Sequence, residues 1–119
     1  MSIKLTVRKV GDVKILDADG RITLGEGATD FRDKIHDLVA AGGIKILVNM
    51  TGITYADSSG IGELVSAFTT VSNARGALKL LSSYKTQPIR ALLITKLYTV
   101  FEVYDDEATA VGSFAEDDR

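Results

Sequence analysis

Ile3, Leu5 and Val7 alternate with Lys4, Thr6 and Arg8, the period of a strand with one buried face. A second alternating run begins at Val13 and Ile15 and ends near Gly20, and Gly11-Asp12 between the two predicts a tight turn. The chain therefore opens on a β-hairpin. After Gly25-Glu26-Gly27 the period changes to that of a helix, with Ala28, Phe31, Ile35, Leu38 and Val39 on one face. Gly42-Gly43 supplies its stop. Ile44 to Met50 is short, β-branched and nearly all apolar, which predicts a strand buried on both faces.

From Ser58 a second helical stripe runs through Ile61, Leu64, Val65, Phe68 and Val71, stopping at Arg75-Gly76. Leu78, Leu80 and Leu81 predict another strand. Thr86 can cap a third helix with Pro88 in its first turn and Ile89, Leu92, Leu93 and Leu97 on its apolar face. Val100 to Tyr104 reads as a last short strand, with Tyr98, Phe101 and Tyr104 as packing residues. Asp105 or Asp106 can cap a final helix that buries Ala108, Val111 and Phe114. The order is β-β-α-β-α-β-α-β-α. Strands alternating with helices require parallel pairings and right-handed crossovers, so the expected class is α/β, a mixed sheet packed with helices.

Composition narrows what such a fold can do. The chain has 119 residues, the size of one domain, here 1–119 with about 1–115 ordered and an acidic tail at 116–119. It has no Cys, no Trp and a single His, which excludes a disulfide scaffold, a zinc cluster, a thiol nucleophile and any site needing two histidines. No metal and no cofactor is expected. With 14 basic and 16 acidic residues the formal charge is −2, against the basic footprint of a direct nucleic-acid binder. No apolar run approaches the ~20 residues that span a bilayer, and the first residues carry no signal-peptide core. A cytoplasmic protein without membrane contact is expected.

The informative segment is Tyr55-Ala56-Asp57-Ser58-Ser59-Gly60-Ile61-Gly62-Glu63-Leu64, where the most apolar strand gives way to a helix. Such mouths of open α/β sheets are where ligands and partners meet. Asp57 or Ser58 can accept hydrogen bonds from the first free N–H groups of that helix. Gly60 and Gly62 each cost roughly 1 kcal/mol in a helix relative to alanine. Either something approaches the backbone there, or the glycines permit tight helix–sheet packing. Tyr55 reads as a core aromatic with a wet hydroxyl or as an anchor for a partner. Sharper chemistry fails on the same residues. Val65 breaks the dinucleotide fingerprint, no Lys-Ser/Thr pair completes a phosphate loop, and His36, alone in the middle of the first helix, is not placed as a base for a serine nucleophile. The hairpin start also differs from the β-α opening and acidic pair of a response-regulator receiver domain.

Gly20-Arg21-Ile22, the Ile46-Leu47-Val48-Asn49-Met50 strand and above all Asp57-Ser58-Ser59-Gly60-Ile61-Gly62 resemble the STAS domain, and within it the bacterial anti-sigma factor antagonists. The resemblance extends over nearly the whole chain. It implies a non-enzymatic regulator that binds an anti-sigma factor in its unphosphorylated form and so frees a sigma factor. The anti-sigma factor would be an ATP-dependent serine kinase that phosphorylates the serine directly after the Asp, here Ser58, and a phosphatase would reverse the step. Asp57, Ser58, Ser59, Gly60, Ile61 and Thr23 are the residues expected at the partner face, on a monomer or weak dimer. Thr23 departs from the pattern, because those antagonists commonly carry an acid three positions beyond the glycine. A scaffold or ligand-sensing STAS module in a larger signalling assembly is the alternative.

Overall fold

The computed structural model of the protein describes residues 3–83, 89–90 and 97–118. Strands β1 (Ile3–Val10) and β2 (Val13–Ile22) form the opening hairpin in uninterrupted antiparallel register, from Ile3 opposite Gly20 to Val10 opposite Val13. Gly11 takes a φ of 62°, the left-handed turn conformation that glycine adopts without strain. Helix α1 (Glu26–Ala40) follows, then β3 (Lys45–Ala56), α2 (Ser58–Asn73) and β4 (Ala77–Leu81). A 3-10 turn (Leu97–Val100), β5 (Val103–Tyr104), α3 (Glu107–Ser113) and a closing 3-10 helix (Phe114–Asp118) complete the order. The five strands lie side by side in chain order, antiparallel between β1 and β2 and parallel thereafter.

Both long helices end where the glycines predict, by one geometry. At α1 the Gly42 and Gly43 N–H groups donate to Val39 and Leu38, and Gly42 sits at φ 87°. At α2 the equivalent donors are Arg75 and Gly76, to Ser72 and Val71, and it is Arg75 that holds the left-handed conformation, at φ 65°. Gly76 is needed one position later, because a Cβ there would lie 2.1 Å from the Ile44 carbonyl oxygen.

The sheet separates two cores. The larger lies between the sheet and α1 and α2, joining Leu16, Ala18 and Ile22 of β2 and Ile46, Val48 and Met50 of β3 to Phe31, Ile35, Ile61, Leu64 and Val71 of the helices. The smaller lies on the opposite face, where Ala110 and Phe114 cover Val13, Ile15, Leu47 and Leu81. Lys79, only 1% exposed, crosses this second core, its ammonium 2.9 Å from Ser113 Oγ and 4.7 Å from the Phe114 ring centroid. Arg8 pins the start of α3 from outside. Its guanidinium donates both to Asp17 (2.6 and 3.1 Å) and to the two carboxylate oxygens of Glu107. These bonds hold Asp17 and Glu107 below the usual carboxylate range, and Asn49 Nδ2 adds a third donor to Asp17 at 2.8 Å.

Three expectations need correction. The central strand runs on past Met50 to Ala56, because β2 continues beside it up to the Ile22–Ala56 pair while β4 reaches only Asn49. The last strand is Val103–Tyr104 alone, residues up to Val100 being wound into the 3-10 turn. The final helix buries Ala110 rather than Ala108, which is exposed, because Ala110 is the residue that faces the second core. The third predicted helix falls outside the described residues except for 89 and 90, which are helical, with Ile89 buried. The Tyr98 side chain lies outside them too. Phe101 is buried, edge-on to Phe68 at 5.7 Å.

Candidate functional site

The site is built where β2 and β3 end together. Ile22 and Ala56 are register partners, both buried, and the Asp57 N–H donates back to the Ile22 carbonyl at 3.3 Å. Two chain segments therefore leave the sheet side by side: 23–25 leading into α1, and Asp57 leading into α2. Of the two capping candidates the structure selects Asp57. Its backbone is extended, and its Oδ1 accepts the Gly60 N–H at 2.8 Å. Its Oδ2 accepts the Leu24 N–H at 2.9 Å, across to the neighbouring segment. These two backbone donors, Leu24 first and Gly60 second, hold the Asp57 carboxyl below the ordinary aspartate range, with the Ser59 N–H assisting.

Ser58 is the first residue of α2 and is exposed; Ser59 and Thr23 are half-buried. Gly60 is buried, and the group approaching its backbone is the protein's own. A Cβ at Gly60 would lie 2.0 Å from the Ile22 carbonyl oxygen and 2.8 Å from Ile22 Cγ2. Tight helix–sheet packing thus accounts for Gly60. Gly62 differs, for it is exposed and a Cβ there would meet nothing within 4 Å. Ile61 is buried in the larger core, and its N–H makes the first helical bond, to the Asp57 carbonyl at 2.9 Å. Asp57, Ser58, Ser59 and Thr23 therefore reach the surface, while Gly60 and Ile61 support it from beneath.

Two residues of this mouth carry no motif. Leu24 is 79% exposed, although its backbone N–H is fixed by Asp57. Tyr55 is not a core aromatic. It is 40% exposed, and the guanidinium of its register partner Arg21 lies 5.3 Å from its ring centroid. The signal for Leu24 was positional: a lone apolar residue between a strand end and Gly25 belongs to neither periodic pattern. His36 stands elsewhere, exposed in the shallow groove between α1 and α2 with Glu63, Ser66 and Thr70. Among the described residues no group of three His, Asp or Glu side chains could hold a metal ion, and no helix is long and apolar enough to cross a membrane.

The family model of the STAS domain matches residues 4–110. The chain belongs to the STAS domain family. No curated protein matches the sequence of this STAS domain, but solved structures share its fold. A Thermotoga maritima protein, itself a candidate anti-sigma factor antagonist, is 24% identical with a TM-score of 0.84, over 93% of this chain and 94% of that one. An anti-sigma factor antagonist from Mycobacterium paratuberculosis is 16% identical with a TM-score of 0.81, over 96% and 95%. The Bacillus cell fate determinant SpoIIAA in its phosphorylated form is 17% identical with a TM-score of 0.71, over 92% and 98%.

Proposed function

We propose that this STAS domain is a non-enzymatic, cytoplasmic anti-sigma factor antagonist, switched by phosphorylation of Ser58. Unphosphorylated, it binds an anti-sigma factor and displaces the sigma factor held there. The anti-sigma factor is also the kinase. The γ-phosphoryl group of ATP moves to Ser58 Oγ, the new O–P bond forms as the bond to the β-phosphate oxygen breaks, ADP leaves and the hydroxyl proton is released. A phosphatase restores the serine by hydrolysis. The observation that carries this reading is the exposed Ser58 hydroxyl at the first position of α2, directly after the Asp57 cap.

The placement suits a binding switch. Phosphate adds about −1.5 to −2 charge and three strong acceptors. At the head of a 16-residue helix that charge meets free N–H groups and the positive end of the macrodipole, so the fold tolerates it. A partner packed over Ser58 would bury the dianion beside the Asp57 carboxylate without a counter-charge, at a cost of about 3–5 kcal/mol. The fold likeness to SpoIIAA, solved in its phosphorylated form, supports the reading.

Incubation with an anti-sigma kinase of the same genome and ATP, followed by mass spectrometry, tests it. A single phosphate on Ser58, lost in Ser58→Ala, is expected; labelling at another residue overturns the assignment. Thr23 favours a second reading, a scaffold subunit, since no carboxylate stands at that position. A stable large assembly in light scattering would select it.

A further inference from the structure

Leu24 combines two properties that rarely coincide in an exposed apolar side chain. It is the most exposed large hydrophobic residue among those described, yet hydrogen bonds hold the backbone at and beside it. The Thr23 carbonyl accepts the Ala28 N–H at 2.9 Å, the Gly25 carbonyl accepts the Thr29 N–H at 3.0 Å, and between them the Leu24 N–H rests on Asp57 Oδ2. Gly25, at φ 97°, lets the chain turn into α1 directly after it. The loop is thus ordered before any partner arrives, and a side chain presented in this way gives up little backbone entropy on binding. The carboxylate that holds it belongs to the residue next to Ser58. Leu24 is tied through its N–H to Asp57, and Ser58 follows Asp57 in the chain, so both exposed residues belong to one mouth.

We infer that Leu24 is the apolar anchor by which the anti-sigma factor grips this domain, and that Asp57 is the positioning residue that holds Leu24 beside Ser58. The inference rests on the function proposed above and names the residue that gives that interface its grip. The partner surface it requires is an apolar recess rimmed by neutral N–H donors, which suit the Asp57 and Glu26 carboxylates at this mouth but give a phosphate dianion no counter-charge. A second copy of this chain would bring the same acidic rim, so like charges oppose self-association there.

Titration of the anti-sigma factor against unphosphorylated Leu24→Ala, Leu24→Met and Asp57→Asn, with steady-state kinetics of Ser58 phosphorylation, tests the inference. Leu24→Ala raises Kd by about 10- to 100-fold. It raises KM for phosphorylation in step, while kcat stays within about twofold. Leu24→Met binds nearly as the parent does, and all three proteins keep the parent circular-dichroism spectrum. Asp57→Asn retains an oxygen for the Gly60 N–H but offers Leu24 an amide in place of the second acceptor. Its affinity falls between those of the parent and Leu24→Ala. Parent-like binding by Leu24→Ala, with normal Ser58 phosphorylation, overturns the anchor and leaves the proposed function standing. A parent protein that is neither bound nor phosphorylated removes both.

Discussion

Gly60 and Gly62 stand two residues apart in one helix turn and answer to different physics. The first is glycine because the end of β2 leaves no room for a Cβ; the second faces open space. Gly60→Ala must push α2 off Ile22, at a cost of about 1–3 kcal/mol or more. Gly62→Ala relieves the entropic cost of glycine in a helix and adds about 0.5–1 kcal/mol of stability. Urea denaturation of the two variants beside the parent separates them. Equal effects in one direction would contradict the packing described. Nothing in the spacing of the two glycines distinguishes them, since the contact that decides is to a residue nearly forty positions earlier. The capping role of Asp57 was legible, because an acid before a helical stripe is a local signal. Its second bond, to Leu24, was not, for it depends on two strands ending at one level.

Among the elements, α3 is a seven-residue helix with one buried residue, Ala110, and two side-chain ties join it to the rest of the domain. Lys79 reaches it through Ser113, and Arg8 through Glu107. Because Arg8 lowers the folded-state pKa of both Asp17 and Glu107, the unfolded chain binds more protons than the folded one in the acid range. The Arg8 contribution is therefore complete above the unfolded carboxylate values of about 4 and is lost as pH falls through the lower folded values. Both Arg8 and Glu107 are more than a third exposed, so solvent screening keeps that contribution modest. Arg8→Met should lower the urea midpoint at pH 7, and the gap to the parent should shrink as the pH falls below the ordinary carboxylate range. A gap that persists in acid would show that Arg8 acts by packing alone. The elements were legible where one period ruled: the hairpin, both long helices and the first half of β3 follow from alternation or from a 3.6-residue stripe. The second half of β3 was not, because Gly52 and the register shifts against β2 interrupt its alternation.

For the whole molecule, the sheet places the ends of β2 and β3 under one helix N-terminus, and the cores that support this mouth lie beneath it. A modification at Ser58 therefore changes the charge of a surface without touching what holds the domain together. The formal charge of −2 would roughly double with one phosphate, and all of the change would fall at the face proposed to bind the partner. The most direct test is calorimetric titration of the anti-sigma factor into the Ser58-phosphorylated and unphosphorylated forms, with the melting temperature of each recorded beside it. The account predicts a Kd at least about 100-fold weaker for the phosphorylated form, at nearly unchanged melting temperature. Equal affinity of the two forms, or a phosphorylated form that unfolds, would contradict it.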